Sequence, residues 1–527
     1  MLNLNTFLNY NARNYPHKQA FIQGDNSMTF EELESSVNKV ANGLTSMGIL
    51  PGDKIALSCP NLFYFPIIYY AILKTGAAIV PLSILLRPNE IALQLTHSES
   101  KAFFCFEDTP GLPMGTWGFE GFSQAESCKH FITIPTGSSA TQPFENSISY
   151  FHLIQGQSDV YECYPTLETD TAVILYTSGT TGDPKGVEIS HSAIVWNAQA
   201  AFNTFRGTQN DILLTALPLF HSFGQGCNMN CSIIGGMTNI LMLKFDPVAA
   251  LKEMHKHKVT ILTAVPTMYW QLVQSGKTEE TKALLPEIRQ NLRLCGGGAA
   301  KVPPQISKDF YEMFGMKIYE GMGISESSGI VSLCSVDKEP VLGSIGVPIQ
   351  GTEFKIIKED GSDTEVNEIG ELCFRGVSAM KGYYKNPEAT QEVMLANGWI
   401  RSGDVGYVDE TGNYFLVDRI KDLIIRGGRN IYPKEVEEVI MTHPAISMVA
   451  VIGIPDDKYG EEVKAYAVLK QGIAVTEAEL MQWTKENIAG YKYPRYIQLV
   501  ETLPMTASGK ISKKDLKTLH KDTVNNN

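Results

Sequence analysis

Between Tyr176 and Val187 the chain reads Tyr-Thr-Ser-Gly-Thr-Thr-Gly-Asp-Pro-Lys-Gly-Val. Thr177, Ser178, Thr180 and Thr181 offer hydroxyl donors, and Lys185 offers a mobile positive charge. Gly179, Gly182 and Gly186 let the backbone turn its N–H groups inward and adopt positive φ. Hydroxyls, inward amides and an ammonium together suit the oxygens of a phosphate chain. The stretch leaves an apolar run, residues 172–176, that reads as a buried strand. It is not a P-loop of the GxxxxGK[ST] type, because Gly186 and not a hydroxyl residue follows Lys185. Glycine and threonine alone would serve an exposed turn equally well; the order and spacing single this stretch out.

Other chemistry-bearing residues stand at the ends of expected strands. His221 lies in Leu217-Pro-Leu-Phe-His-Ser-Phe-Gly224. Gly297, Gly298 and Ala299 lie in Cys295-Gly-Gly-Gly-Ala-Ala300, where missing side chains permit close approach of a slender ligand. Glu320, Gly321, Met322, Gly323, Ser325 and Glu326 follow in Tyr319-Glu-Gly-Met-Gly-Ile-Ser-Glu326. Asp404 precedes a hairpin, and Arg419 and Lys421 come after it. Gly427 and Gly428 form a turn before a helix that Pro433 opens. Lys510 sits in a basic C-terminal loop, Thr506-Ala-Ser-Gly-Lys510. Taken singly, each has an ordinary reading: a packed histidine, a turn-capping aspartate, a solvated lysine.

In this order and spacing the motifs resemble those of the adenylate-forming superfamily, which includes acyl-CoA synthetases, luciferases and peptide-synthetase adenylation domains. The resemblance implies a reaction between a carboxylic acid, ATP and coenzyme A, with Mg²⁺. It places the phosphates of ATP against Thr177–Lys185 and sets residues 297–299 between an acyl channel and adenine. It sets residues 320–323 and Ser325 along the nucleotide, and His221 beside the substrate carboxylate. An acid next to a triphosphate is unfavourable without a cation between them, so Glu326 suits Mg²⁺, with Thr177 as its second ligand. The resemblance gives Asp404 the ribose hydroxyls, Arg419 the nucleotide sugar or phosphate, and Lys421 the pivot between two domains. It puts Gly427 and Gly428 beside the pantetheine thiol and makes Lys510 the catalytic lysine. Where the family usually has an aromatic residue, this chain has Met322, so adenine stacking becomes a thioether contact.

The expected fold is α/β. A large N-terminal domain, residues 1–418, comprises two parallel-type α/β subdomains plus a β-rich subdomain, and a small mobile α+β domain covers 419–527. Local signals agree with this. Thr29 and Glu32 form a capping box before a helix that Gly48 closes. Strands at 54–58, 77–82 and 102–106 alternate with helices at 62–75 and 85–96. Residues 107–168 read as a connecting region of surface loops. Helices at 191–205 and 247–257 alternate with strands at 211–218, 259–266 and 292–296. Short strands follow from residue 342, at 353–358, 370–375 and 407–417. The last unit holds helices at 432–440 and 476–488 and strands at 447–454 and 463–469, and the polar tail 514–527 is expected to fray.

Composition limits the function classes. Lys plus Arg number 44 against 57 Asp plus Glu, a net charge of −13, which argues against general nucleic-acid binding. Nine cysteines without a CxxC pair, and no basic segment leading an apolar one at the N-terminus, fit a reducing cytoplasm. The most apolar window, 63–82, is broken by Pro66, Lys74, Gly76 and Pro81, so it reads as a buried helix and strand and not as a membrane span. Peripheral membrane contact stays open, as does the choice of monomer or homodimer. The leading reading is an acid–CoA ligase for a medium- or long-chain fatty acid, with an apolar channel lined from 228–236 and 265–268. The alternatives are an acyl-AMP ligase that loads a separate carrier protein, and a nucleotide-binding regulatory protein with a degenerate site.

Overall fold

The computed structural model describes residues 2–137, 144–177, 184–470, 472–506 and 511–525. The chain divides into two compact units, residues 1–353 with 375–400, and residues 354–374 with 401–527.

The first unit is built on two sheets. One runs Gly382–Tyr383, Gly186–Ser190, Thr171–Tyr176, Ala78–Pro81, Lys54–Ser58, Ser100–Phe106, His130–Ile134, Ile148–Ser149. Its pairs are parallel from Thr171–Tyr176 to the far edge and antiparallel at the Gly186–Ser190 side. Continuous apolar runs explain this, since a parallel sheet is covered on both faces: all of Ala78–Pro81 is buried, as is the centre of Thr171–Tyr176. In the second sheet Gln19–Gln23, Thr238–Leu241, Ile212–Thr215, Ile261–Ala264, Leu294–Gly297 and Ile318–Ile324 are paired in parallel. Gly329–Leu333 then returns antiparallel to Ile318–Ile324. Two parallel-type subdomains, as expected, therefore make up this unit. The capping box at Thr29 and Glu32 starts the helix Phe30–Ser46. The apolar window becomes the buried helix Tyr64–Lys74 and the strand Ala78–Pro81. Among the described residues no helix is long and apolar enough to cross a membrane.

In the second unit Ile400–Val408 and Tyr414–Arg419 form the expected hairpin. A five-stranded sheet dominated by Ile446–Asp456 and Gly460–Leu469 carries the helices Pro433–Met441 and Glu477–Asn487.

Two expectations are corrected. Residues 107–168 are not loops alone: they also supply the helix Met114–Gln124 and two strands that extend the first sheet. Gly115, Gly118 and Gly121 form the helix's packing face. A Cβ on Gly118 would lie 2.4 Å from Cys105 Sγ, and one on Gly121 2.7 Å from Ile91. The tail does not fray along its length, because Lys513–Asn525 is helical. Leu516, 1% exposed, packs with Ala450, Ile452 and Tyr466 and anchors it.

Candidate active site

The sheet edge in the first unit positions the glycine-hydroxyl stretch. Thr171–Tyr176 and Gly186–Ser190 pair antiparallel, with Tyr176 opposite Gly186. One further rung closes the hairpin, the Thr177 amide donating to the Lys185 carbonyl at 3.0 Å. The residues that flank the stretch on both sides therefore belong to paired strands at a sheet edge. Ser178, Gly179, Thr180, Thr181 and Gly182 lie outside the described residues. The Thr177 hydroxyl donates to the Lys185 carbonyl at 3.4 Å, which leaves its lone pairs to accept or ligate.

A short strand, Gly382–Tyr383, adds to this edge with Gly382 opposite Glu188 and Tyr383 opposite Val187. It brings in a residue that the sequence reading missed. Lys185 Nζ lies 5.0 Å from the centre of the Tyr383 ring, within cation–π range. The Tyr383 hydroxyl donates to Glu326 Oε1 at 2.9 Å. Burial first, then the nearby Glu326 charge, raises the Tyr383 pKa, so the hydroxyl keeps its proton. The Met380 amide donates to the Glu326 carbonyl at 2.8 Å. Lys185 and Glu326, far apart in sequence, are thus joined through one five-residue segment.

Glu326 itself rides on a tight turn, Ser325–Ser327. Buried Asn197, in the helix His191–Thr204, secures that turn. Its amide donates to the Ser327 carbonyl at 3.2 Å and the Ile330 carbonyl at 2.7 Å, and its oxygen accepts from the Ile330 amide at 3.3 Å. Gly329, at φ +143, leaves room for this amide: a Cβ there would lie 2.6 Å from Asn197 Oδ1.

His221 follows the strand end held by Asn61, whose amide donates to the Leu217 carbonyl at 2.9 Å while its oxygen accepts from the Leu219 amide at 3.0 Å. His221 Nδ1 accepts from the Phe223 amide at 3.3 Å. In the neutral ring this puts the proton on Nε2, the tautomer that can donate to a carboxylate. Phe223–Asn230 is a π-helix, a form that recurs at functional sites. Phe223 lies against Gly298, where a Cβ would come within 3.1 Å of the ring. Asn228 bonds Thr215 and Thr263, and Asn230 bonds Tyr69 and Tyr70, at 2.7–3.3 Å. The buried polar groups of the expected channel segment are therefore satisfied by the scaffold and ask nothing of a ligand.

Several candidate glycines have structural duties. On Gly321 and Gly323 a Cβ would meet the carbonyls of Ser332 and Gly329 at 2.5 Å, and on Gly297 it would meet Ile318 at 2.8 Å. Ala299 adopts φ +71. Glu320 accepts from the Val302 amide at 2.8 Å. Met322 is buried in the strand, its amide donating to Ser332 Oγ at 3.3 Å.

The remaining candidates lie in the second unit. Asp404, 5% exposed, faces Arg419 across the hairpin, with Arg419 Nε donating to Asp404 Oδ1 at 3.1 Å. Lys421 follows in the short helix Ile420–Asp422. Gly427 and Gly428, at φ +56 and +77, make the two-residue tip between Ile424–Arg426 and Arg429–Ile431, a turn that both positive values suit. Lys510 lies outside the described residues, but Met505 and Ile511 bridge the base of its loop. Lys513 beyond it pairs with Glu437 at 2.8 Å. Among the described residues no three His, Cys, Asp or Glu side chains group around a metal position.

The AMP-binding enzyme family matches residues 8–384, and the AMP-binding enzyme C-terminal domain matches residues 435–510. A long-chain-fatty-acid–CoA ligase of Bacillus subtilis (strain 168) is 32% identical, over 99% of this chain and 95% of its own length. A feruloyl-CoA synthase of an Amycolatopsis species is 33% identical over 96% of each. Among solved structures, ATP-bound MatB from Rhodopseudomonas palustris superposes with a TM-score of 0.88 at 28% identity, over 99% of this chain and 100% of that one. Fold, motif order and relatives agree: the chain belongs to the AMP-binding enzyme family and is an AMP-forming acyl-CoA synthetase of the adenylate-forming superfamily.

Proposed function

We propose that this enzyme activates a medium- or long-chain fatty acid as its acyl-adenylate, releasing pyrophosphate, and then passes the acyl group to the thiol of coenzyme A, releasing AMP. The observation that carries the reading is the convergence of Lys185 and Glu326 on Tyr383 beside the Thr177–Lys185 rung. A carboxylate is a poor acyl donor because oxide would have to leave; attack of its oxygen on the α-phosphate of ATP replaces that leaving group with AMP. Two anions must meet, so the site has to supply positive charge and donors where charge builds, each contact worth roughly 3–4 kcal/mol in comparable sites. Lys185, the Thr177 hydroxyl and Lys510 fill that role, and His221 Nε2–H holds the substrate carboxylate. Mg²⁺ on Glu326 and Thr177 would neutralise phosphate charge. No protein nucleophile or base is demanded, since the attacking oxygen is already anionic, and positioning supplies much of the rest.

Asp404 takes the ribose hydroxyls, with Arg419 beside it. The second half-reaction requires Lys510 to withdraw. We assign the division to residues 1–418 and 419–527, with Lys421 the pivot that brings the Gly427-Gly428 tip to the thiol. Nine free cysteines support a cytoplasmic setting. For the acid, the satisfied polar groups at Asn228 and Asn230 favour an apolar chain over a hydroxylated one. The test is CoA-dependent AMP release with acids from acetate to oleate, ferulate included. Maximal kcat/KM with a medium or long chain is expected; a maximum with ferulate or acetate would replace the substrate assignment. AMP release that follows a carrier protein and not CoA would replace the acceptor.

A further inference from the structure

An empty site that holds an ammonium and a carboxylate for use on a nucleotide has an internal hazard: the two can pair with each other. Opposite charges at contact attract strongly where water is scarce, and the pair would have to be broken before phosphate and cation could enter. In this structure no ion pair joins Lys185 to Glu326 among the described residues, although both converge on one side chain. Tyr383 stands between them. Its ring face receives the Lys185 ammonium at 5.0 Å from the centroid. Its hydroxyl donates to Glu326 Oε1 at 2.9 Å.

The chemistry of those two contacts matters. A neutral hydroxyl orients a carboxylate without cancelling its charge, whereas a lysine or arginine at the same place would neutralise it. Oε2 makes no hydrogen bond among the described residues, so the charge and one oxygen stay available. An aromatic face likewise holds an ammonium weakly, by a quadrupole and not by a counter-charge. Tyr383 is itself fixed by the ladder: Gly382 and Tyr383 pair with Glu188 and Val187, the Tyr384 amide donates to the Gly186 carbonyl at 2.7 Å, and the Met380 amide donates to the Glu326 carbonyl at 2.8 Å. One strap therefore fixes the hairpin exit and the Glu326 turn together.

We infer that Tyr383 is a positioning residue for adenylation, a spacer and clamp that keeps Lys185 and Glu326 apart and aimed, one for phosphate and one for a divalent cation. This rests on the adenylation reading above. The consequence is a split between the half-reactions: removing the hydroxyl impairs cation and nucleotide engagement but leaves thioester formation from preformed acyl-AMP.

Tyr383→Phe keeps the ring and removes the donor; Tyr383→Leu removes both. Mn²⁺ binding in the presence of a non-hydrolysable ATP analogue, followed by the paramagnetic resonance signal of free Mn²⁺, gives a readout independent of turnover. Tyr383→Phe is expected to weaken Mn²⁺ about tenfold, the scale of a lost hydrogen bond to a charged group, and to raise the Mg²⁺ needed for half-maximal pyrophosphate exchange in step. Tyr383→Leu is expected to lower exchange further at saturating Mg²⁺, because Lys185 then pairs with Glu326. Wild-type Mn²⁺ affinity in Tyr383→Phe overturns the clamp. Equal loss of both half-reactions in Tyr383→Phe also overturns it, since a merely structural tyrosine would behave so. If wild-type enzyme binds Mn²⁺ with the analogue but exchanges pyrophosphate with no acid, the adenylation reading fails and the Mn²⁺ comparison still judges Tyr383.

Discussion

His191 couples acidity to the scaffold that carries Glu326. It is the first residue of the helix His191–Thr204 and is fully buried, and neither ring nitrogen has a hydrogen-bond partner among the described residues. Burial lowers its pKa from 6.5 to about 4, with the charge of Asp170 opposing. The folded state thus holds a neutral imidazole that the unfolded chain protonates at higher pH. The stabilisation is fully present above the unfolded value of 6.5 and is lost as pH falls toward the folded value of about 4. Integrating the linkage between pH 7.5 and pH 5 gives a loss of about 2 kcal/mol from this one group.

The perturbation is His191→Leu, which fills the site without a titrating group. Urea unfolding at pH 7.5 and at pH 5, followed by tryptophan emission, measures the loss. Trp196 lies on the same helix and donates to the Gln350 carbonyl at 3.0 Å, and it contributes to the emission with the chain's four other tryptophans. Wild type is expected to lose about 2 kcal/mol more than the variant between the two pH values. An equal loss in both proteins would refute the reasoning. The same helix presents Asn197 to the Ser325–Ser327 turn, so wild-type pyrophosphate exchange should also fall on the acid side earlier than that of the variant.

Lys510→Ala should cut acid-dependent pyrophosphate exchange by roughly 10²–10³-fold while sparing thioester formation from preformed acyl-AMP; equal loss of both would remove the division of labour. Asp404→Ala removes a buried carboxylate whose partner Arg419 is 42% exposed and can be resolvated. The KM for ATP should therefore rise about tenfold or more with little change in thermal midpoint, and a large midpoint drop without a KM change would make Asp404 structural. Gly298→Ala places a methyl 3.1–3.2 Å from the Phe223 ring. It should lower kcat/KM for long-chain acids and spare acetate, and a uniform loss across chain lengths would separate this contact from the acyl path.

The sequence displayed what local chemistry decides. The capping box at Thr29 and Glu32, the buried runs of the parallel strands and the helix start at Pro433 all follow from short-range rules, and the structure reproduces them. What stayed hidden depends on contacts distant in sequence. The role of Gly118 and Gly121 shows only once Cys105 and Ile91 are seen against them. The tail is mostly polar, and its anchoring rests on one buried leucine, Leu516, whose partners Ala450, Ile452 and Tyr466 lie far back in the chain. Asn61, Asn197 and Tyr383 share one character. Each spends its polar group on a partner 57 to 158 positions away, and each sits in a stretch whose local pattern is satisfied without it. Asn197 is the clearest case, a fully buried amide in the helix His191–Thr204, facing the turn that bears Glu326. A buried amide costs free energy unless its hydrogen bonds are met, so such a residue in a helix core signals a backbone segment elsewhere that needs holding. Motifs identify the groups that meet the substrate, and out-of-place buried amides and hydroxyls identify what keeps those groups in place.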